Sequence, residues 1–401
     1  MAWSDHSLTL HHPSARPRLD ALTGARGPAA LMVFSQHAGE SGLLPWIWSS
    51  ALAVSFFFVL SGFVLAYAYG DQKALGWDFY RARWGRIWPA TMVSTGLVLL
   101  LLPRDAYPPL ALSDGGTGMV FLSVLLMLQS LIPIPDVYFA FNSVSWSISV
   151  EWCFYLLFPF VLWGLCRRIW ATMVMVMAVG LMLTALAMAL GWSGFDPAAL
   201  ASPSWHGLVY INPLTRLWEF AIGMLAGRLW LTTSLRSSVR LLLQQGSRQG
   251  RGWLAPWLEV LLIGACLVCA YWVLPQGIAW AVPAAAPLQL LLLQWTSALC
   301  LVVVVVVLAA ESSVFSRQWM AQPLMLRLGE LSFGVYLMHQ PLMRWLSIQM
   351  RNDPAGLLAT CPRTVVLMGV LVMTLLLAAV SHDWIEPPAR RWFKGQSAQS
   401  R

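Results

Sequence analysis

The chain has 401 residues, 58% of them hydrophobic and only 10% charged, with 25 Lys and Arg against 17 Asp and Glu. Soluble domains are nearer half apolar and a quarter charged, so this composition excludes an ordinary soluble globule; its apolar runs are long rather than alternating, which excludes a β-barrel too. In a soluble protein the net charge of +8 would suggest nucleic acid, but in a membrane chain it is the Arg of inward-facing loops, and nucleic-acid binding is set aside.

Taken in chain order, residues 1–25 are polar and rich in His and Arg, and they read as a cytoplasmic leader rather than a cleavable signal. Eleven apolar stretches follow, at 27–37, 51–69, 87–103, 117–134, 146–165, 171–191, 208–230, 257–274, 287–310, 324–347 and 364–385. Basic segments (Arg16 to Arg26, Lys73 to Arg86, Arg167–Arg168, Arg236 to Arg251, Arg317 to Arg327, Arg390 to Lys394) alternate with basic-poor ones at 38–50, 135–145, 192–207 and 275–286. The basic segments should face the cytoplasm, which places both termini inside and requires an even number of crossings. The parity breaks between Arg86 and Arg167, so one stretch within 104–134 is expected to be re-entrant or to lie at the outer surface.

The predicted fold is an all-α polytopic membrane protein, with about 10 transmembrane helices plus that one re-entrant segment. Residues 26–388 read as one transmembrane domain and 389–401 as a short cytoplasmic tail. The basic, polar segment 231–256 is expected to lie on the cytoplasmic surface. Many of the 23 Trp fall near the ends of apolar runs, as interfacial belts require. Cys266 and Cys269 have redox-motif spacing, but inside an apolar run a packed helix face is the better reading, and no metal site is expected.

Ionisable groups at membrane depth are expensive and point to function. In "TGARGPAALMVFSQHAGE", His37 follows Arg26 by eleven residues, about 16 Å along a helix and past the middle of a ~30 Å hydrocarbon core. His suits proton transfer near neutral pH, although position alone favours an interfacial histidine slightly. Ser61-Gly62 in "FFFVLSGFVLAY" permits close backbone approach. Arg81, Arg83 and Arg86 cluster before a helix, where they can set topology, bind an anion, or both. Ser143, Ser147, Glu151 and Tyr155 recur every four residues and form one polar stripe that must face the bundle interior. Arg216 and Glu219 are one turn apart, as a structural or a catalytic pair, and Gly223 and Gly227 beside them make a GxxxG face. Ser332, Tyr336 and His339 share a helical face in "LGELSFGVYLMHQP".

Together these stretches resemble the acyltransferase 3 family of integral membrane acyltransferases. "LDALTGARGPAALMVFSQH" is similar to the family's first-helix Arg and His, and "FFFVLSGFVL" to its FFxLSGF segment. "RARWGRIWP" is similar to its basic loop, "SVSWSISVEWCFYLLFP" to its SWSLSVE-x-x-FYLxFP signature, and "RLWEFAIGMLAG" to R-x-x-E-F-x-x-G. "LGELSFGVYLMHQPL" resembles LGxxSYxxYLxHxP, with Phe333 in place of the usual Tyr, and "WIEPPARR" the closing E-x-P-x-R. The resemblance covers nearly the whole chain. It implies transfer of an acyl group, acetyl by default, from acyl-CoA to a hydroxyl of a glycan or lipid-linked glycan outside the cell membrane. His37 would be the catalytic histidine, with Arg26, Arg81, Arg83 and Arg86 near the donor. Glu151 lies in the most distinctive motif and is taken as a second catalytic candidate, able to orient His37, contact the acceptor or neutralise an Arg. Ser147, Tyr155, Arg216, Glu219, Tyr336 and His339 are the supporting set. The expected partners are membrane lipid, the glycan acceptor and, where transfer is handed on, a separate extracytoplasmic transferase. A transporter that moves an acyl group or a lipid-linked glycan without chemistry is the competing reading.

Overall fold

Within a bilayer a backbone must satisfy its own hydrogen bonds, and among the described residues each element does so as a helix. The computed structural model describes residues 16–41, 49–70, 75–103, 116–248, 255–283 and 285–394. The helices are α1 (Asp20–Glu40), α2 (Ser50–Tyr69), α3 (Trp77–Leu101), α4 (Gly116–Leu125), α5 (Trp146–Arg167), α6 (Ile169–Ala189) and α7 (Pro213–Thr232), followed by α8 (Leu235–Arg248), α9 (Ala255–Val268), α10 (Leu274–Ala281), α11 (Ala286–Ala310), α12 (Pro323–Asn352), α13 (Arg363–Val380) and α14 (Glu386–Lys394). A π-helical turn, Cys269–Val273, makes α9 and α10 one continuous rod, and a second, Ser381–Ile385, links α13 to α14. Side-chain caps open two helices: Ser49 accepts from the Leu52 N–H at 3.3 Å for α2, and Asn212 from the Leu214 N–H at 3.0 Å for α7, where Pro213 takes the first helical position.

Two helix crossings organise the bundle. α1 packs along α12, and α2 along α7, in both cases backbone to backbone. A Cβ placed on Gly329 would lie 1.9 Å from the Thr23 carbonyl oxygen, and one on Gly24 1.8 Å from that of Met320. At the second crossing a Cβ on Gly223 would lie 2.1 Å from the Val59 oxygen. Helices in lipid gain little from apolar burial and associate through such close packing, so the Gly residues fix both contacts. Between the crossings lies a dense apolar core that includes Phe58, Phe63, Phe154, Phe158 and Phe220.

Six described helical segments are long and apolar enough to cross a membrane: Ser50–Tyr69, Ser143–Arg167, Ile169–Ala189, Trp257–Ala281, Ala286–Ala310 and Arg363–Phe393. The expectation of about ten exceeds this number for a physical reason. α1, α3, α7 and α12 each carry three or more charged residues, which lowers their hydropathy. The stretch expected not to cross contributes α4, whose ten residues rise about 15 Å, half the hydrocarbon thickness. After it the chain packs against the start of α5, where Ser130 is bonded to Ser149 Oγ through both its N–H (3.1 Å) and its hydroxyl (2.7 Å). Within 231–256, α8 is amphipathic and is held to the end of α11 by Arg240, whose Nε donates to the Ala310 carbonyl at 2.9 Å.

Candidate functional site

The crossing of α1 and α12 brings two histidines together. His37 Nδ1 lies 3.1 Å from His339 Nε2, and the rings are 5.0 Å apart. His339 is fully buried, and its Nδ1 is 2.9 Å from the Val335 carbonyl one turn back on its own helix. A carbonyl only accepts, so His339 carries its proton on Nδ1 and presents the Nε2 lone pair to His37. His37 Nδ1, which also lies 3.0 Å from the Val33 carbonyl, is then the protonated nitrogen. In the neutral ring the remaining nitrogen, His37 Nε2, then carries the lone pair, the form a general base needs.

His37 lines a cavity of about 530 Å³ at the Glu40 end of α1. Gln36, Glu40, Ser143, Trp146, Tyr336 and Gln340 also face it, as do Phe139, Phe195, His206 and Tyr210 from the segments before α5 and α7. A second pocket of about 240 Å³ shares His37, Glu40 and Gln340 and continues toward Arg344 and Arg351. The cavity is polar on the α1 and α12 side and aromatic on the other, the form of a site that holds a hydroxyl-bearing molecule by its faces and edges.

The polar stripe of α5 divides between two neighbourhoods. Ser143 lies in a 3₁₀ turn ahead of the helix, so the four-residue spacing does not continue to it as one regular face. Ser147 Oγ is 2.7 Å from the Tyr336 hydroxyl, which donates to the Val144 carbonyl at 3.1 Å. Glu151 accepts from Ser61 Oγ at 3.2 Å and from Tyr155 in a short hydrogen bond. Glu151 therefore binds hydroxyls of α2 and α5, while the ring partner of His37 is His339; of the roles open to Glu151, orienting His37 is not the one built here.

Glu151 and Tyr155 are in electrostatic reach of Arg26, which also senses Arg83 and Arg86. Arg83 stacks against Tyr69 (5.7 Å), Phe79 (6.0 Å) and Tyr155 (5.9 Å). Three guanidiniums against one carboxylate leave this neighbourhood, at the Arg26 end of α1, a net positive charge. Arg81 is used differently: its Nε donates to the Phe393 carbonyl at 2.6 Å and ties α14 to α3. Arg216 and Glu219 form a fully buried ion pair at 2.8 Å. Ser55 donates to Glu219 at 2.6 Å and accepts from Arg216 at 3.2 Å, and the guanidinium lies over the rings of Phe58 (5.1 Å) and Tyr210 (5.0 Å). That pair touches the cavity only through Tyr210. Ser332 donates to its own Gly329 carbonyl at 2.7 Å and joins neither group.

Sequence reasoning missed His206, Tyr210 and Phe139. Phe139 and His206 lie in segments between the apolar runs, and Tyr210 lies at the start of the run 208–230, where an aromatic residue attracts no notice. The signal present was composition: the basic-poor segments 135–145 and 192–207 hold several rings between them.

Comparison with known proteins bears on what this arrangement serves. An acyltransferase-domain family model matches residues 19–382. The chain is 29% identical over 394 residues to acyltransferase MdmB of Streptomyces mycarofaciens, covering 93% of this chain and 92% of that one. It is 25% identical over 393 residues to nodulation protein 10 of Rhizobium leguminosarum bv. viciae, covering 88% and 87%. An 86-residue stretch is 42% identical to protein 2 in the picA locus of Rhizobium radiobacter, covering 20% and 44%. No solved structure matches the chain. With the family model spanning nearly all of α1 to α13, the chain belongs to the acyltransferase 3 family and is a membrane enzyme that transfers acyl groups.

Proposed function

We propose that the protein takes an acyl group, acetyl by default, from acyl-CoA at the cytoplasmic face of the cell membrane. It passes that group to a hydroxyl of an extracytoplasmic carbohydrate or related acceptor. The observation that carries the reading is the His37–His339 pair at the wall of a polar and aromatic cavity, whose geometry puts the lone pair of a neutral His37 on Nε2. In this reading both termini are cytoplasmic. Arg26, Arg83 and Arg86 meet the donor's phosphates at the inner end, since planar guanidiniums match phosphate geometry, and the donor's arm spans the ~16 Å of α1 from Arg26 to His37.

The acceptor hydroxyl donates its hydrogen bond to His37 Nε2. As its oxygen attacks the thioester carbonyl, the proton moves to Nε2. The C–S bond then breaks, the CoA thiolate leaves, and His37 returns the proton to it. Gln340, which follows His339 and lines the same cavity, is placed to donate an amide N–H to the developing oxyanion. His339 accepts from His37 Nδ1 throughout and fixes the ring.

The test is transfer from radiolabelled acetyl-CoA by purified protein in nanodiscs, with the host's washed envelope extract as acceptor. His37→Ala should lose about 10²- to 10⁴-fold in kcat, the usual worth of positioned proton transfer. A variant that labels the extract at near wild-type rate would overturn the mechanism.

A further inference from the structure

The cavity that His37 lines has a second histidine that belongs to none of the motifs. His206 immediately precedes a π-helical turn, Gly207–Ile211, that leads into α7. Its ring stacks on Tyr210 at 5.0 Å and 27°, and those of Phe195 (6.0 Å) and Phe139 (6.3 Å) lie tilted against it. Nδ1 is 3.3 Å from the hydroxyl of the fully buried Tyr138. That hydroxyl is 3.2 Å from Ser204 Oγ, which in turn accepts from the Gly207 N–H at 3.1 Å. The network engages Nδ1 whichever way its protons run, so Nε2 is the nitrogen left over, with no protein partner among the described residues. A ring so thoroughly braced, with one polar atom unused and a cavity in front of it, is preorganised for a ligand. His206 lies outside the membrane spans, and burial first and the Arg216 charge second push its pKa down to about 4, so the ring is neutral near pH 7. A neutral imidazole can donate to or accept from a hydroxyl, and it brings no positive charge to attract an anionic acceptor.

We propose that His206 is an acceptor-binding residue: its Nε2 hydrogen-bonds a second hydroxyl of the acceptor, beside the one being acylated, while Tyr210, Phe139 and Phe195 pack against the acceptor's apolar face. This rests on the proposed function above and adds to it what holds the acceptor. The class of molecule that satisfies both demands is a neutral ring carrying adjacent hydroxyls on one edge and C–H groups on a face. The two histidines then divide the work, His37 acting on the reacting hydroxyl and His206 setting which hydroxyl that is.

The experiment uses the same nanodisc assay, with the host's envelope extract titrated as acceptor and labelled acetyl-CoA as donor. His206→Ala should raise the half-saturating amount of extract about tenfold or more, because the acceptor loses a hydrogen bond in a water-poor site, while the KM for acetyl-CoA stays within about twofold of wild type. His206→Gln keeps a polar atom and should recover part of the loss. Tyr138→Phe releases Nδ1 alone and should give a smaller rise. If His206→Ala does not fold, these two milder variants carry the measurement. Half-saturation within about twofold of wild type in every folded variant overturns the proposal. A wild-type protein that labels nothing in the extract, or labelling that survives His37→Ala, overturns the proposed function instead, and the two failures are distinct.

Discussion

His339 sits 302 positions from His37 and, with the Val33 carbonyl, is one of two neighbours that hold the proton on His37 Nδ1. Removing its buried Nε2 leaves the His37 ring held from its own helix alone. His339→Leu should therefore cut kcat by one to two orders of magnitude, the consequence of about 1–3 kcal/mol, with the acetyl-CoA KM little changed. His339→Gln retains an acceptor oxygen and should keep most of the rate; a Gln variant as slow as Leu would show that His339 does more than position. Arg216 and Glu219 invite the opposite expectation. Both are wholly buried and held chiefly by each other and by Ser55, and Arg216 Nη1 has no hydrogen-bond partner among the described residues. Glu219→Gln leaves a buried guanidinium without its counter-charge and should cost about 3–5 kcal/mol, read as a lower thermal midpoint in nanodiscs. Replacing both, Arg216→Met with Glu219→Leu, should restore most of that midpoint; a double variant as unstable as the single one would mean that the charges serve something beyond each other. Arg26 and His37 were legible because a cation and a histidine eleven residues apart stand out in an apolar run. The His37–His339 contact was not, because a helical face predicts which residues share a side and says nothing of which helix meets it.

At the scale of elements, the site exists because α1 and α12 approach closely enough for their histidines to touch. Gly24 and Gly329 make that possible, each lying against a backbone carbonyl of the opposing segment. Gly329→Ala puts a methyl group where the Thr23 oxygen stands and forces the helices apart. It should destabilise by about 1–3 kcal/mol and, by separating the two rings, reduce kcat out of proportion to the loss of stability. Gly264 on α9 has nothing near its would-be Cβ, and Ala there should be neutral or stabilising by up to about 1 kcal/mol, through helix propensity alone. Comparing the melting and the turnover of the two variants checks the account; equal effects would refute it. The GxxxG face of α7 was legible as a pattern, and the structure supplies its partner, the α2 backbone at Val59 and Phe63. The expectation for Gly62 holds likewise, with the Phe220 oxygen opposite it. The number of crossings was harder to read: apolar runs alone suggest about ten, while six described segments are long and apolar enough to cross.

The whole molecule is polarised from end to end. Arg26, Arg83 and Arg86 gather at one end of α1, and the His37 cavity, rimmed by Phe139, Phe195 and His206, opens toward the other. In the proposed reading a polyanionic donor and a neutral acceptor thus come from opposite faces of the membrane and meet between α1 and α12. Because intact membranes do not pass acyl-CoA, sidedness becomes measurable. In sealed inverted vesicles, acetyl-CoA added outside should be consumed and its label should appear on acceptor enclosed within. In sealed right-side-out vesicles the same addition should do nothing until the membrane is permeabilised. The Arg cluster should matter only to the donor. Arg83→Ala with Arg86→Ala should raise the acetyl-CoA KM by at least about tenfold, as loss of charge-assisted phosphate contacts implies, and leave the half-saturating amount of acceptor unchanged. The increase should shrink as ionic strength rises, since screening weakens these contacts in the wild type while the double variant has few left to lose. Equal consumption in both vesicle orientations, or a double variant with an unaltered donor KM, would break the link between the charge asymmetry of the fold and the direction in which the acyl group travels.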